Sequence, residues 1–411
     1  MDIDPLLLER ALASAPNAIG YHIGRVLAEA AVGRVVVEVP DAELDVIEVA
    51  NECGYVAEPR PGIHSQFGVL WSKKHGLSRR QGTSWLRVRW EGGELDVILA
   101  TWHVQFEEKR VHWIIGNDEG TVHRFIAAIS EAVHVPRRSV LVYAGGCWSR
   151  DPQIYEAVQL ARWDDVVLPG DLVRRISDDV GSFLGARDLY ARYGVPYKRG
   201  VLLTGPPGNG KTLCVRALMK EAGIPTLYVK SFEVRYGETD ASIVAVMRRA
   251  REISPCLLVL EDLDSLVKPE HLSVFLNEMD GIRADTGILT LATSNHPERL
   301  DPALLERPSR FDRKYHFELP GVAERLRYLH LWNDRLEADM KAPDDALPPL
   351  AEGSDGFSFA YLKELFLSAM ARWVIDRRPG AMGALLASEL EHLRAHKSSA
   401  TPAPSAKAKG E

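Results

Sequence analysis

The sequence is sparing with cysteine, with long apolar runs and with surplus charge of one sign. Four cysteines stand among 411 residues, at Cys53, Cys147, Cys214 and Cys256. They are scattered, without the short pairings of a metal knuckle or a redox motif. Four reduced thiols of a cytoplasmic protein are the expectation, with Cys214 the one placed where oxidation would matter. No apolar run approaches the roughly 18 residues of a membrane helix. The net charge is −7, so no basic excess draws the chain to nucleic acid or an anionic membrane. The start, Met1-Asp2-Ile3-Asp4-Pro5, carries acids where a targeting leader carries bases. A His-Glu-x-x-His zinc motif is missing; His392 and His396 have the spacing without the Glu.

What is present suits a soluble globular protein of two or three domains, with 46% hydrophobic and 26% charged residues. Residues 1–160 read as an α+β domain for a client or partner. Helices are expected between Asp4 and Ala31, broken near Pro16, from Asp41 onward, and over Thr121–Val133. Strands are expected at Arg34–Val39, Trp85–Trp90, Leu95–Trp102, Val111–Ile115 and Ser139–Tyr143, with Gly92-Gly93 as a hairpin turn. Between Trp71 and Trp90 lie Lys73, Lys74, Arg79, Arg80, Arg87 and Arg89, with Trp85 interleaved and no acid. Basic and aromatic side chains together suit single-stranded nucleic acid. The alternation of Arg87 and Arg89 with Leu86, Val88 and Trp90 equally suits a half-buried strand with a solvated basic face, and that reading is preferred.

The chemistry begins at Gly205-Pro206-Pro207-Gly208-Asn209-Gly210-Lys211-Thr212. An apolar strand, Gly200–Thr204, precedes it, and a helix opens at Leu213. This is the phosphate-binding P-loop arrangement, whose backbone N–H groups and helix N-terminus cradle ATP phosphates. Lys211 is placed to reach the β- and γ-phosphates, and Thr212 to hold Mg²⁺. A second apolar run, Cys256–Leu260, ends in Glu261-Asp262-Leu263-Asp264 and reads as a buried parallel strand presenting acids to the same site. A third, Leu289–Ser294, ends at Asn295, which either orients the attacking water or only turns the chain. Arg307 and Arg310 form a pair suited to developing phosphate charge, or, taken alone, to a solvated surface.

In order and spacing these motifs resemble the AAA-family ATPases over roughly Val166 to His396. The resemblance implies an α/β P-loop NTPase parallel sheet over 161–320 and a small helical lid over 321–396, followed by a disordered tail at 397–411. It implies ATP and Mg²⁺ as cofactors and hydrolysis as the reaction. Asn295 becomes the first sensor, and Arg307 and Arg310 act on the neighbouring subunit's nucleotide in a ring, usually a hexamer. Asp280-Gly281 falls in the segment that passes signals between subunits. The family has Asp-Glu where this chain has Glu261-Asp262. The mitochondrial Rieske-protein translocase branch shares Glu-Asp, so the chain resembles that branch without its membrane anchor. Glu261 is then the metal-side acid and Asp262 the base, with the roles open to exchange. An extra residue, Glu306, makes the carry-over to Arg310 more direct than to Arg307. Gly356–Leu362 resembles the lid segment that packs near the nucleotide, with Phe359 and Tyr361 departing from its Gly and Asp. Tyr236-Gly237 is a partial match to the loop that grips a threaded polypeptide. The zinc motif of the membrane AAA proteases is missing. A ring that remodels, unfolds or translocates a protein client is expected; a nucleotide-gated scaffold with slow hydrolysis and a nucleic-acid-remodelling ATPase are the alternatives.

Overall fold

A computed structural model describes residues 7–40, 44–47, 49–61, 65–72, 76–104, 107–134, 139–234, 238–280, 287–307 and 309–400. The chain divides into two compact units, 1–137 and 138–411.

The first unit runs α1 (Leu7–Leu12), α2 (Ile19–Ala30), β1 (Val35–Val39), α3 (Ala50–Cys53), β2 (Val56–Pro59), β3 (Phe67–Ser72), β4 (Gly76–Gln81), β5 (Ser84–Trp90), β6 (Gly93–Val104), β7 (Glu107–Gly116) and α4 (Glu119–His134). Five strands form an antiparallel sheet in the order β1-β7-β6-β5-β2, while β3 and β4 pair as a separate ribbon. Both faces of the sheet are covered. Leu86, Val88, Val97 and Ile114 pack with Phe125 and Ile129 of α4. Trp85, Ile98, Ala100 and Trp113 pack with Ile19, Ile23 and Leu27 of α2. Strand β6 is therefore buried without interruption from Leu95 to Ala100, as expected where no face meets water. One carboxylate, Asp96, lies in this interior and accepts hydrogen bonds from Arg34 (2.9 Å), Arg60 (2.5 Å) and the Trp85 indole (3.0 Å). The helix expected from Asp41 is reduced to the single turn of α3; Asp41 itself lies outside the described residues.

The second unit runs β8 (Val140–Ala144), β9 (Cys147–Asp151), α5 (Pro152–Leu160), α6 (Leu172–Gly185), α7 (Arg187–Tyr193), β10 (Lys198–Thr204), α8 (Lys211–Ala222), β11 (Thr226–Val229), α9 (Thr239–Glu252), β12 (Cys256–Leu260), α10 (Leu263–Leu266), α11 (Leu272–Asp280), β13 (Ile288–Ser294), α12 (Pro302–Leu305), β14 (Arg313–His316), α13 (Val322–Asp334), α14 (Leu347–Gly353), α15 (Phe359–Asp376) and α16 (Met382–Ala400). Its sheet has the order β14-β10-β13-β12-β11-β8-β9. The first six strands run parallel and β9 returns antiparallel at the edge. The apolar runs at β10, β12 and β13 are buried throughout or nearly so, because helices cover both faces of a parallel sheet. Helices α13 to α16 form the lid around Leu329, Leu350, Phe357, Leu365, Phe366 and Leu386.

Two expected boundaries move. The strand expected at Ser139–Tyr143 belongs to the ATPase sheet, not to the first domain, because β8 pairs in parallel with β11 through Leu141, Val142 and Tyr143. The division therefore falls at 137/138 rather than at 160. The tail expected over 397–411 does not hold for residues 397–400, since α16 continues to Ala400 and Lys397 donates to the carbonyl of Gly356. Residues 401–411 lie outside the described residues.

Candidate nucleotide site

The ends of β10, β12 and β13 come level in register, with Leu260 opposite Ala292 and Thr204 opposite Ser294. Every polar group expected at a strand end is thus delivered to the same edge of the sheet, the place where ligands bind in parallel α/β folds. Beyond β10 the chain turns through Gly205, Gly208 and Gly210, all at positive φ. A side chain at Gly205 would stand 2.1 Å from the carbonyl oxygen of Phe317. Only glycine fits there, so the loop lies directly on the backbone beyond β14. Asn209 is buried and donates to the carbonyl of Glu318 at 3.0 Å, fixing the loop from its centre. Helix α8 opens at Lys211 behind Gly210 with no side-chain cap, so its first N–H groups are not taken by a capping residue.

Lys211 is 6% exposed. Its ammonium donates to the carbonyls of Gly205 (2.6 Å) and Pro206 (3.0 Å), folding back on its own loop. Burial lowers its pKa from the usual lysine value, opposed by the charges of Asp262, Asp264 and Glu261. The buried cation is poised to exchange carbonyl partners for phosphate oxygens, which are stronger acceptors.

Asp262 stands at φ 51°, the left-handed region that a non-glycine residue seldom occupies. Its N–H donates to Thr293 Oγ1 at 3.0 Å, and its Oδ1 accepts from Asn295 Nδ2 at 2.7 Å. The turn after β12 is thereby tied to the end of β13. Ser294 adds a bond from Oγ to Asp264 Oδ1 at 2.7 Å, and its carbonyl accepts from the N–H of Gly205 at 3.2 Å. Asn295, expected as a sensor, therefore contacts the expected base directly.

A cavity of about 340 Å³ opens here. Pro207, Gly208, Gly210, Lys211, Thr212, Asp262, Thr293 and Asn295 form one wall; Asp165, Val166, Val167, Tyr328, Phe359, Ala360 and Lys363 form another. The lid meets the loop directly, with Ala360 N–H donating to the Gly208 carbonyl at 3.0 Å. Phe359 packs on Tyr328, ring centroids 4.9 Å apart, which makes an apolar patch on the cavity wall. The segment Gly356–Leu362 thus lies against the P-loop.

Glu261 is not among the residues lining this cavity. Its Oε2 accepts from the Tyr228 hydroxyl, and its Oε1 is buried without a hydrogen-bond partner. Among the described residues no cluster of three or more His, Cys, Asp or Glu side chains could hold a metal alone. Mg²⁺ takes one or two protein oxygens and completes its shell with phosphates and water. Thr212 and Asp262 on the cavity wall, with the bare oxygen of Glu261 behind it, are the groups that could serve. Magnesium there would neutralise phosphate charge.

Neither arginine lines the cavity. Arg310 is 6% exposed and bound within the same chain by Asp280 and the carbonyl of Ala303. The Arg307 side chain is 65% exposed with one bond to Asp280 at 2.9 Å. The sequence pattern carries over more directly to Arg310, whereas the geometry leaves Arg307 the freer cation. Cys214 is fully buried and its thiol pKa is pushed up chiefly by burial, with Glu221 adding to it. It is a packing residue rather than an oxidation-sensitive one. Tyr236 and Gly281 lie outside the described residues.

In the basic segment, Trp85 and Trp90 are buried, Arg87 pairs with Glu94 at 2.9 Å and Arg89 with Glu58 at 3.0 Å. A stacking platform needs exposed rings, so these residues form an ordinary sheet. Trp71, Lys73, Lys74, Arg79 and Arg80 lie outside the described side chains. Sequence reasoning did not find Asp165, Tyr328 or Lys363, which reach the cavity only through tertiary packing.

Sheet order, loop and acid–amide pair together define a P-loop nucleoside triphosphatase domain. Residues 201–319 match the family model described as "ATPase family associated with various cellular activities (AAA)". The chain therefore carries an AAA ATPase domain. An ATP-dependent zinc metalloprotease FtsH of Acidothermus cellulolyticus is 39% identical over 206 residues, 46% of this chain and 30% of that protein. ATPase family gene 2 protein of Saccharomyces cerevisiae is 32% identical over 222 residues, 51% of this chain and 28% of that protein. Protein SAV of Sulfolobus acidocaldarius is 30% identical over 231 residues, 53% of this chain and 29% of that protein. The chain thus spans about 30% of the length of these relatives. No helix among the described residues is long and apolar enough to cross a membrane.

Proposed function

We propose that this protein is a cytoplasmic, ATP-hydrolysing ring subunit, hexameric by family resemblance, that remodels, unfolds or translocates a protein client chosen by residues 1–137. One observation carries the reading. Lys211, Thr212, Asp262 and Asn295 converge on a cavity closed by the lid, while Arg307 stands outside it and exposed. The site has a phosphate cradle, a carboxylate to polarise water and an amide to orient it. The cation for developing phosphate charge is the missing part, and a neighbouring subunit's Arg307 supplies it. Asp262, held by Asn295, acts as the base, and Glu261 serves from the metal side. The Glu261-Asp262 order supports a place near the Rieske-protein translocase branch.

Lys211→Ala abolishes nucleotide binding, and Asp262→Asn binds ATP without turning it over; normal turnover in both removes the assignment. Mixing Lys211→Ala with Arg307→Ala chains restores turnover if the arginine acts between subunits, since each supplies what the other lacks. The Asp262→Asn protein held in ATP is then the bait that retains the client.

A further inference from the structure

A second cavity, of about 290 Å³, lies at the opposite edge of the ATPase sheet, where β10 and β13 begin. Among the described residues it shares no lining residue with the nucleotide cavity. Gly200 and Thr290, which face each other across the two strands, lie on its floor. Met247 of α9, Met279 of α11, Val195 and Ile288 supply apolar wall. Methionine walls adapt to the shape of what they enclose.

Two polar groups of this lining keep hydrogen-bonding capacity that the fold does not use. Thr290 is 7% exposed, between Leu289 and Leu291, and its hydroxyl has no hydrogen-bond partner among the described residues. A buried hydroxyl without a partner destabilises the fold. Lys198 uses one of its three N–H donors on the Met279 carbonyl at 3.1 Å, in the last turn of α11. The carboxylates around it are taken. Asp312, on the cavity wall, pairs with Arg199 at 3.2 Å and accepts from the N–H of Gly200 at 2.9 Å. Glu278 accepts from Arg251 at 2.8 Å, and Asp280 from Arg310 at 2.5 Å. Each arginine of the lining thus has its own carboxylate, and among the described residues Lys198 has none.

Lys198 stands opposite Ile288, two residues before the Gly200–Thr290 pair, so its side chain and that of Thr290 leave the same face of neighbouring strands. Their backbones are about 7 Å apart along the strands and about 5 Å across them. A cation on a flexible stem and a fixed hydroxyl at that separation can meet on one small anion. We infer that this cavity binds a small organic acid, its carboxylate held by Lys198 and Thr290 and its apolar body against Met247, Met279, Val195 and Ile288. One unpaired positive charge in a largely apolar lining matches a monoanion with a carbon body, and leaves a phosphate dianion poorly served. Ser309 and Arg310 also line the cavity, so the acid lies against the segment that carries Arg307 and away from the phosphate cradle.

The test labels the methionine methyls of the full chain with ¹³C and titrates it with hexanoate, octanoate, benzoate and phenylacetate, and with the primary amide of each. At least one acid is expected to shift the Met247 and Met279 signals, assigned through Met247→Leu and Met279→Leu. Its amide, lacking the charge, should bind about 10-fold or more weakly, and Lys198→Met should weaken the acid by as much. Thr290→Val should weaken it by about 3-fold or more, while Lys198→Arg keeps most of the affinity. Saturating ADP should leave the acid in place. Signals moved by none of the acids overturn the inference, as does equal binding of acid and amide. An affinity unchanged by Lys198→Met, or unchanged by Thr290→Val, does the same. Displacement by ADP would put the acid in the nucleotide cavity and equally ends the assignment.

Discussion

Asp280 holds Arg310 through both carboxylate oxygens, Nε to Oδ1 at 3.1 Å and Nη2 to Oδ2 at 2.5 Å. The same carboxylate also accepts from Ser309 at 3.2 Å and from Arg307 at 2.9 Å. The last residue of α11 thereby fixes the whole arginine segment. Asp280→Asn would leave the buried Arg310 guanidinium without its counter-charge, at a cost of about 2–3 kcal/mol. Urea unfolding should show that loss, and Arg310→Ala in the same background should add little to it. Additive losses would mean that the two residues act independently.

Gly200, inside β10, should tolerate no side chain. A Cβ there would meet the Arg310 carbonyl oxygen at 1.7 Å and its carbon at 2.8 Å. The obstacle is backbone, and β14 would have to leave the sheet. Gly200→Ala should give little soluble protein. Gly33→Ala, where nothing lies within 4 Å but φ is +78°, should cost only about 1 kcal/mol.

Gly208 combines φ +79° with close approach of the lid, since its Cβ would lie 2.6 Å from Ala360 Cβ and 2.9 Å from Ser358 Oγ. Gly208→Ala should keep the fold and weaken nucleotide binding about 10-fold or more, as the lid is pushed from the loop. Adding Ala360→Gly removes the closer of the two side-chain clashes and leaves that with Ser358 Oγ and the unfavourable backbone conformation. A partial recovery of affinity is therefore expected, read by labelled-nucleotide titration.

Acid should strip stability from the first unit through Asp96. Burial works against its charge, and the hydrogen bonds from Arg34, Trp85 and Arg60 outweigh burial, so its pKa lies below the usual carboxylate value. A pKa lowered on folding stabilises the protein above the unfolded value, near 3.9, and the benefit disappears as pH falls through the folded value. Asp96→Asn should lower stability at neutral pH and flatten the acid limb below about pH 4. Hydrogen exchange of β6 amides across that range is the measurement; parallel curves for the two proteins would contradict it.

The parts legible in the sequence were those encoded by local pattern. Val201–Leu203, Cys256–Leu260 and Ile288–Ala292 are apolar runs ending in polar residues, and the fold of a parallel sheet brings such ends together. The α+β character of the N-terminal region, expected over 1–160, was readable from periodicity in the same way, and the helical lid was implied by the resemblance to the AAA family. Partners distant in sequence were not readable. Val140–Ala144 looks like any strand, and nothing local says that it pairs with Leu227–Val229 across more than 80 residues. The burial of Arg310 on Asp280 and the arrival of Lys363 at the cavity depend likewise on tertiary packing, which leaves no periodic trace.

The hairpin of β8 and β9 decides where this chain can be cut. Removing everything before residue 161 would strip two strands from the sheet and bare the edge of β11, a row of unpaired N–H and C=O groups that invites pairing between molecules. A fragment beginning at 138 keeps that edge covered. The smallest free-standing ATPase unit is thus longer on its N-terminal side than the family-matched 201–319, and its first strand is the chain that follows directly from the first unit.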